Sequence, residues 1–216
     1  MASKATSPKR SIAHCDLLPD LLQQLLESDH NTHLVVCATK SEFLVQLAAA
    51  IRKQRADPEA ATSHDLLTKT IGLLARSSNI TVAFCSTLES FRAHIAVFKP
   101  TADEPGSQRR QLLSILDMVA LHTTTTEFSA QGLSRTLASV VETAYKAGID
   151  LRLDECENAL DSSNPLWGRR IWDTNVPLLN GSVRMGGDET NWGARGIPVR
   201  RIAERWFEFH PNGPTG

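Results

Sequence analysis

Apolar residues recur along the first 160 positions in two alternating rhythms. The spacing of three and four that marks one face of a helix runs through "CDLLPDLLQQLLES", "SEFLVQLAAAIRKQ", "HDLLTKTIGLLARS", "TLESFRAHIAVF" and "SAQGLSRTLASVVETAYKAG". Between these stretches lie short, continuous apolar runs, "HLVVC", "NITVAFC", "LLSILDMVAL" and "IDLRLDEC", which predict strands covered on both faces. The Asp57-Pro58 stretch separates two of the helices, and the polar loop "KPTADEPGSQRR" precedes the third strand. Strands alternating with helices predict an α/β fold with a mainly parallel central sheet between two helical layers. After Asn164 tryptophans, glycines and arginines dominate, and "TNVPLLNGSVR" and "IPVRRIAERWFEF" predict an antiparallel extension that finishes the sheet. Residues 1–10 are small, polar and basic and predict a disordered tail, which leaves 11–212 as a single domain.

Composition narrows the classes. With 216 residues and 41% hydrophobic content the chain suits one sizeable core. The balance of 23 Lys+Arg against 24 Asp+Glu gives no overall basic field, so nucleic-acid contact would have to come from a local patch or a partner. No apolar run approaches the ~20 residues that span a bilayer, and "MASKATSPKR" lacks the apolar region of a secretory signal. The expectation is a soluble intracellular protein with no membrane contact. Cys15, Cys37, Cys85 and Cys156 are widely spaced, which suits buried reduced thiols better than disulfides.

The stretch "HLVVCATKSEFLVQLAAAI" poses the main chemical question, because a strand, a Lys-Ser pair and a helix are the setting of a phosphate-binding loop. The pattern G-x-x-x-x-G-K-[ST] needs glycines where this chain has Leu34 and Thr39, so the backbone cannot wrap a triphosphate. Thr39 and Glu42 have instead the spacing of a capping box, with Lys40 and Ser41 as ordinary first-turn residues. Cys37, Cys85, His122 and Cys156 fall at or near the carboxyl ends of four predicted strands, yet strands ~4.8 Å apart spread four ends over ~14 Å, whereas zinc ligands converge at ~2.0–2.3 Å. Asp117 is placed like a magnesium-holding carboxylate but has no phosphate loop beside it, and Asp154 and Glu155 are better suited to caps and ion pairs than to acid/base work. No G-x-S-x-G, H-x-x-x-H or C-x-x-C pattern occurs. The expectation is no enzyme, no cofactor and no metal.

The segment "NPLWGRRIWDTNVPLLNGSVR" is the candidate nucleic-acid contact. Arg169 and Arg170 stand between Trp167 and Trp172, and Arg184 continues the basic theme, a mix of cations and aromatic faces that suits phosphates and bases. Arg195, Arg200 and Arg201 follow. The competing reading puts the tryptophans in the core and the arginines on a solvated face.

Residues 112–212 resemble, in their order of elements, the carboxyl half of the RecA-type core of eukaryotic strand-exchange recombinases and their paralogues. "ALHTTTTEFSAQGLSRTLASVVETAYKAGIDLRL" is similar to that family's strand, DNA-facing loop, long helix and next strand, and "NPLWGRRIWDTNVPLLNGSVR" to the passage from its second DNA-facing loop. "IPVRRIAERWFEFHPNG" resembles the last strands, and "NITVAFCSTLESFRAHI" more loosely a strand and helix of the amino half. The resemblance implies a RecA-like three-layer fold. Without the phosphate loop it resembles the small paralogue subunits of Shu-type complexes. Those imply a nuclear, non-catalytic accessory role in homologous-recombination DNA repair, with a RecA-like paralogue subunit and a strand-exchange recombinase as partners, and single-stranded or forked DNA bound through the complex. The RecA-like subunits of the Elongator tRNA-modification complex fit the same description as an alternative. A divergent NTPase using Lys40, Ser41 and Asp117 is the enzyme reading, which the missing glycines disfavour.

Overall fold

In the computed structural model, which describes residues 8–13, 15–55, 65–68, 70–100, 109–179 and 196–209, the short apolar runs pair side by side. In chain order the elements are β1 (Arg10–Ala13), α1 (Leu18–Glu27), β2 (His30–Val36), α2 (Lys40–Arg55), α3 (Ile71–Ser77), β3 (Ile80–Phe84), α4 (Leu88–Val97), β4 (Arg110–Leu116), α5 (Met118–Thr123), α6 (Ala130–Ala147), β5 (Asp150–Asp154), β6 (Asn175–Val176), β7 (Ile197–Pro198), α7 (Val199–Ala203) and β8 (Glu208–Phe209). Six strands form one sheet in the order β3-β2-β4-β5-β1-β8, with all neighbours parallel. β6 and β7 form a separate antiparallel pair. The α/β class and the mainly parallel sheet are as expected, and the arrangement is consistent with a RecA-like one.

Parallel strands need helical crossovers, and these divide over the two faces. α1 packs with α2 and α3 on one face, while α4, α6 and α7 pack together on the other. Alternation along the strands feeds both: Val35, Leu113, Ile115, Leu151 and Leu153 join the core under α4 and α6, and Leu34, Val36, Leu112 and Leu116 join the one under α1. α6 shows the logic of a single element. Ser129 caps it by accepting from the Gly132 N–H, the stripe Leu133, Leu137, Val140, Val141 and Ala144 is buried, and Gly148 ends it in the left-handed region at φ 67°. Among the described residues no helix is long and apolar enough to cross a membrane.

Four local expectations fail. β1 begins at Arg10, the last residue assigned to the tail, and lies inside the sheet between β5 and β8; four residues are too few to show a period. The run "LLSILDMVAL" is not one strand: Asp117 takes φ 59°, the chain turns, and Met118–Thr123 is helical. "TNVPLLNGSVR" and "IPVRRIAERWFEF" do supply the expected antiparallel pair, β6 with β7, but it stands apart from the main sheet, and the second run divides into β7, α7 and β8, of which β8 joins the sheet parallel to β1. β3, expected to be covered on both faces, is the sheet's edge, with Val82 43% and Phe84 37% exposed.

Candidate functional site

The crossovers that follow β1 and β2, α1 and α2, lie on one face of the sheet and those that follow β4 and β5, α6 and α7, on the other, although the chain just after β5 first passes along α2. At the neighbouring pairs β2/β4 and β5/β1 it therefore departs in opposite directions, and beyond the carboxyl ends of such strands an open α/β sheet leaves its ligand crevice. In this protein that position is filled from within.

The filling starts with β5, whose alternation puts Leu151 and Leu153 in one core and turns Asp150, Arg152 and Asp154 to the α1 face. The Arg152 guanidinium donates to Asp154 Oδ2 at 2.8 Å, to Gln24 Oε1 of α1 at 2.8 Å and to Cys15 Sγ at 3.3 Å. Asp154 is fully buried; loss of hydration raises its pKa and the Arg152 charge opposes the rise. The neighbouring Glu155 accepts from the Val119 N–H at 2.6 Å and the Ala120 N–H at 3.2 Å, and so caps α5 from another strand. Half-buried Asp117 accepts from the Cys156 N–H at 3.0 Å. Burial pushes the Asp117 pKa up to about 7, and Glu155 is raised well above its ordinary value by burial and by the Asp117 charge. Burial and the Asp154 charge push the Cys15 thiol up to about 12, and Cys37 and Cys156 are raised as well. Thiols held protonated are poor nucleophiles and poor metal ligands.

Phosphate binding needs free N–H groups at a helix start, and here several of them are taken by the chain's own acceptors. Glu42 accepts from the Thr39 N–H at 2.8 Å while Thr39 Oγ1 accepts from the Glu42 N–H at 3.2 Å, the capping box read from the sequence. Thr87 and Ser90 cap α4 in the same way. At α6 the carbonyls of Pro177 and Leu178 accept from the Ala130 and Gln131 N–H groups. Lys40 and Ser41 are exposed first-turn residues.

A cover lies over this edge. The chain after β5 is tied to α2 by Gln46 Nε2 to Asn158 Oδ1 at 2.7 Å and by Lys53 to Glu157 at 3.8 Å, and to the β1–α1 turn by Arg169 Nε to Asp16 Oδ1 at 2.9 Å. Gly168 sits at φ 63° with Glu157 so near that an added Cβ would meet Glu157 Cγ at 2.9 Å. Arg170 donates to the carbonyls of Ser162, Ser163 and Asn164, so its exposed head braces the turn. Trp172 corrects the sequence reading: it is 1% exposed, packs edge-on against Phe209 at 5.3 Å, and has no face to offer a base. Trp167 is half-buried against the same core. Arg184 and Arg195 lie outside the described residues. Arg200 pairs with Asp173 and lies over the Phe209 ring, and Arg201 pairs with Glu204.

His122 is not at a strand end but in α5, fully buried, with Nε2 3.1 Å from Thr136 Oγ1. Among the described residues no three His, Cys, Asp or Glu side chains gather as a metal site. Sequence reasoning missed Arg152, Gln24 and the stacked pair His33–His94, whose Nε2 atoms are 2.9 Å apart. The alternation "DLRLD" was the available signal for Arg152; nothing local marks histidines so far apart in sequence. An open pocket of about 270 Å³ lies between α1 and α3, lined by Gln23, Glu27, Leu73 and Arg76 among others, and not at the carboxyl edge.

A family model described as SPAC22G7.03-like matches residues 9–151, from the start of β1 into β5. No curated protein matches the chain.

Proposed function

This chain belongs to the SPAC22G7.03-like family, and we propose that it is a non-catalytic, RecA-like accessory subunit that acts by binding other macromolecules. The observation that carries this reading is the filling of the carboxyl edge: Asp117, Arg152, Asp154 and Glu155 are bonded to the chain's own groups where a nucleotide or substrate would enter. A fold whose usual chemical seat is occupied retains its surfaces as means of action.

Within that reading we place the protein in homologous-recombination DNA repair in the nucleus, beside a RecA-like paralogue subunit and a strand-exchange recombinase. Its support is the resemblance of residues 112–212 together with the succession β4, α6, β5 and an arginine-bearing loop. DNA would be held chiefly through the complex, since Trp172 is in the core and Arg169 and Arg170 carry internal contacts. The test is purification of the tagged chain under native conditions, with its partners identified by mass spectrometry and ATP turnover measured on the same material. Recombinase paralogues and no turnover are the expected result. Elongator subunits would move the protein to the tRNA-modification scaffold, and turnover abolished by Lys40→Ala would overturn the non-catalytic reading.

A further inference from the structure

Among the described residues β3 is an edge strand without the usual guards. Soluble proteins keep edges from pairing with charges, prolines, bulges or covering loops, and from Ile80 to Cys85 the chain has neither charge nor proline. Its inner side is occupied: the Thr32 N–H donates to the Asn79 carbonyl at 2.8 Å and the Cys85 N–H to the Val36 carbonyl at 2.9 Å. Alternate residues of a parallel strand face the same neighbour. Asn79, Thr81, Ala83 and Cys85 therefore face β2, and the N–H and C=O groups of Ile80, Val82 and Phe84 point away from the sheet. Among the described residues no strand pairs with that outer side. The outward set is also apolar. Val82 and Phe84 are substantially exposed, the Phe84 ring meets Phe43 of α2 edge-on at 5.7 Å, and Leu44 and Val45 beside Phe43 are about half exposed.

We propose that β3 pairs antiparallel with β3 of a second copy of this chain, so that two six-stranded sheets join across a two-fold axis at Val82. A strand fits this surface better than a helix, because only a strand satisfies the outward N–H and C=O groups while covering the side chains between them. A copy fits because the outward set is centred on Val82. Antiparallel pairing sets Val82 against itself and Ile80 against the partner copy's Phe84, and each facing pair exchanges both N–H···O bonds. The surface is then self-complementary, as a two-fold interface requires. The register matches a β-branched with an aromatic side chain on either side of the axis and brings no like charges together. The pairing does not rest on the recombination reading, and its failure would leave the non-catalytic reading standing.

The test is light scattering on the purified full chain across the micromolar range, with two variants. Val82→Pro removes the donor at the axis and leaves the inner ladder intact, since the Val82 N–H does not face β2 and edge strands accept proline there. Val82→Lys places two like charges on the axis instead. The wild type is expected to approach twice the monomer mass as concentration rises. Both variants should dimerise at least ~10-fold more weakly while keeping the wild-type circular dichroism and melting cooperativity. If Val82→Pro fails to fold, Val82→Lys decides. A wild type that stays monomeric throughout, or a dimer that survives in a folded variant, overturns the proposal. So does a β3 edge that binds only a different protein.

Discussion

The carboxyl edge of the sheet and its β3 edge reverse the ordinary division between interior and surface. At the carboxyl edge, charged and thiol side chains from β1, β4 and β5 are buried and bonded to one another and to α1 and α5. Along β3 and the start of α2, valine, leucine and phenylalanine face solvent. The first region resists change, because removing one member strands the others without partners in a medium that penalises them. The second carries exposed apolar side chains beside a paired strand, and such a surface is what the proposed β3 pairing would cover. The contrast separates what keeps this protein folded from what it presents to others.

The strongest way to break the contrast is at Arg152. Arg152→Ala leaves the buried Asp154 carboxylate without its cation, and should cost about 3–5 kcal/mol of unfolding free energy in urea titration. Replacing the pair together, Arg152→Met with Asp154→Leu, should recover much of that loss, because the cost lies in the orphaned charge and not in the absence of a bridge. Leu44→Ser on the open side should change stability by less than ~0.5 kcal/mol. Equal losses in the two regions would mean that the β3 side is part of the structural core.

Protons give a second, smaller lever. The His122 pKa is pushed down to about 4 by burial, from an ordinary value of 6.5, so its contribution is complete above pH 6.5 and is lost as pH falls through about 4. Asp117 runs the other way. With its pKa raised from 3.8 to about 7, it favours the fold most below pH 3.8, and that advantage is lost as pH rises through about 7. Asp117→Asn keeps an acceptor for the Cys156 N–H and a side chain that tolerates the left-handed backbone. It should be neutral in stability near pH 4 and more stable than wild type by roughly 1–3 kcal/mol at pH 8. A loss at pH 8 would show that the ionised carboxylate is needed where it stands.

What the sequence disclosed depended on the distance over which each feature is made. Helices α2 and α6 and the Thr39–Glu42 box were legible because a helical face and a cap are set by residues three or four apart. The parallel sheet was legible from the alternation of element types. β1 was hidden by its brevity, and the division at Asp117 by an apolar run that continues from strand into helix. The contacts that close the carboxyl edge link residues from separate strands and helices: Arg152 to Gln24, Glu155 to Val119, Gln46 to Asn158. Only the fold brings those together. Within the arginine–tryptophan segment Trp172 departs from its expected role as a stacking face, for a local reason. Gly168–Asp173 is a tight 3₁₀ turn, which sends Arg169 and Arg170 outward and Trp172 into the core, although composition treats them alike.

That segment supplies the last and smallest expected effect on stability. Arg169 is paired with a well-exposed Asp16, and exposed pairs contribute only ~0–1 kcal/mol. The carbonyl contacts of Arg170 are likewise at the surface. Arg169→Ala combined with Arg170→Ala should therefore lower the unfolding free energy by no more than about 1–2 kcal/mol. If the cover touches DNA, the same double variant should weaken DNA binding by the assembled complex and make the plot of log affinity against log salt shallower by about two phosphate contacts. The two readouts answer different questions. Unchanged DNA affinity and salt slope would leave both arginines as braces of the cover and remove DNA contact from this loop. A loss of several kcal/mol in stability would place the loop with Arg152 and Asp154, as part of the packed side of the contrast.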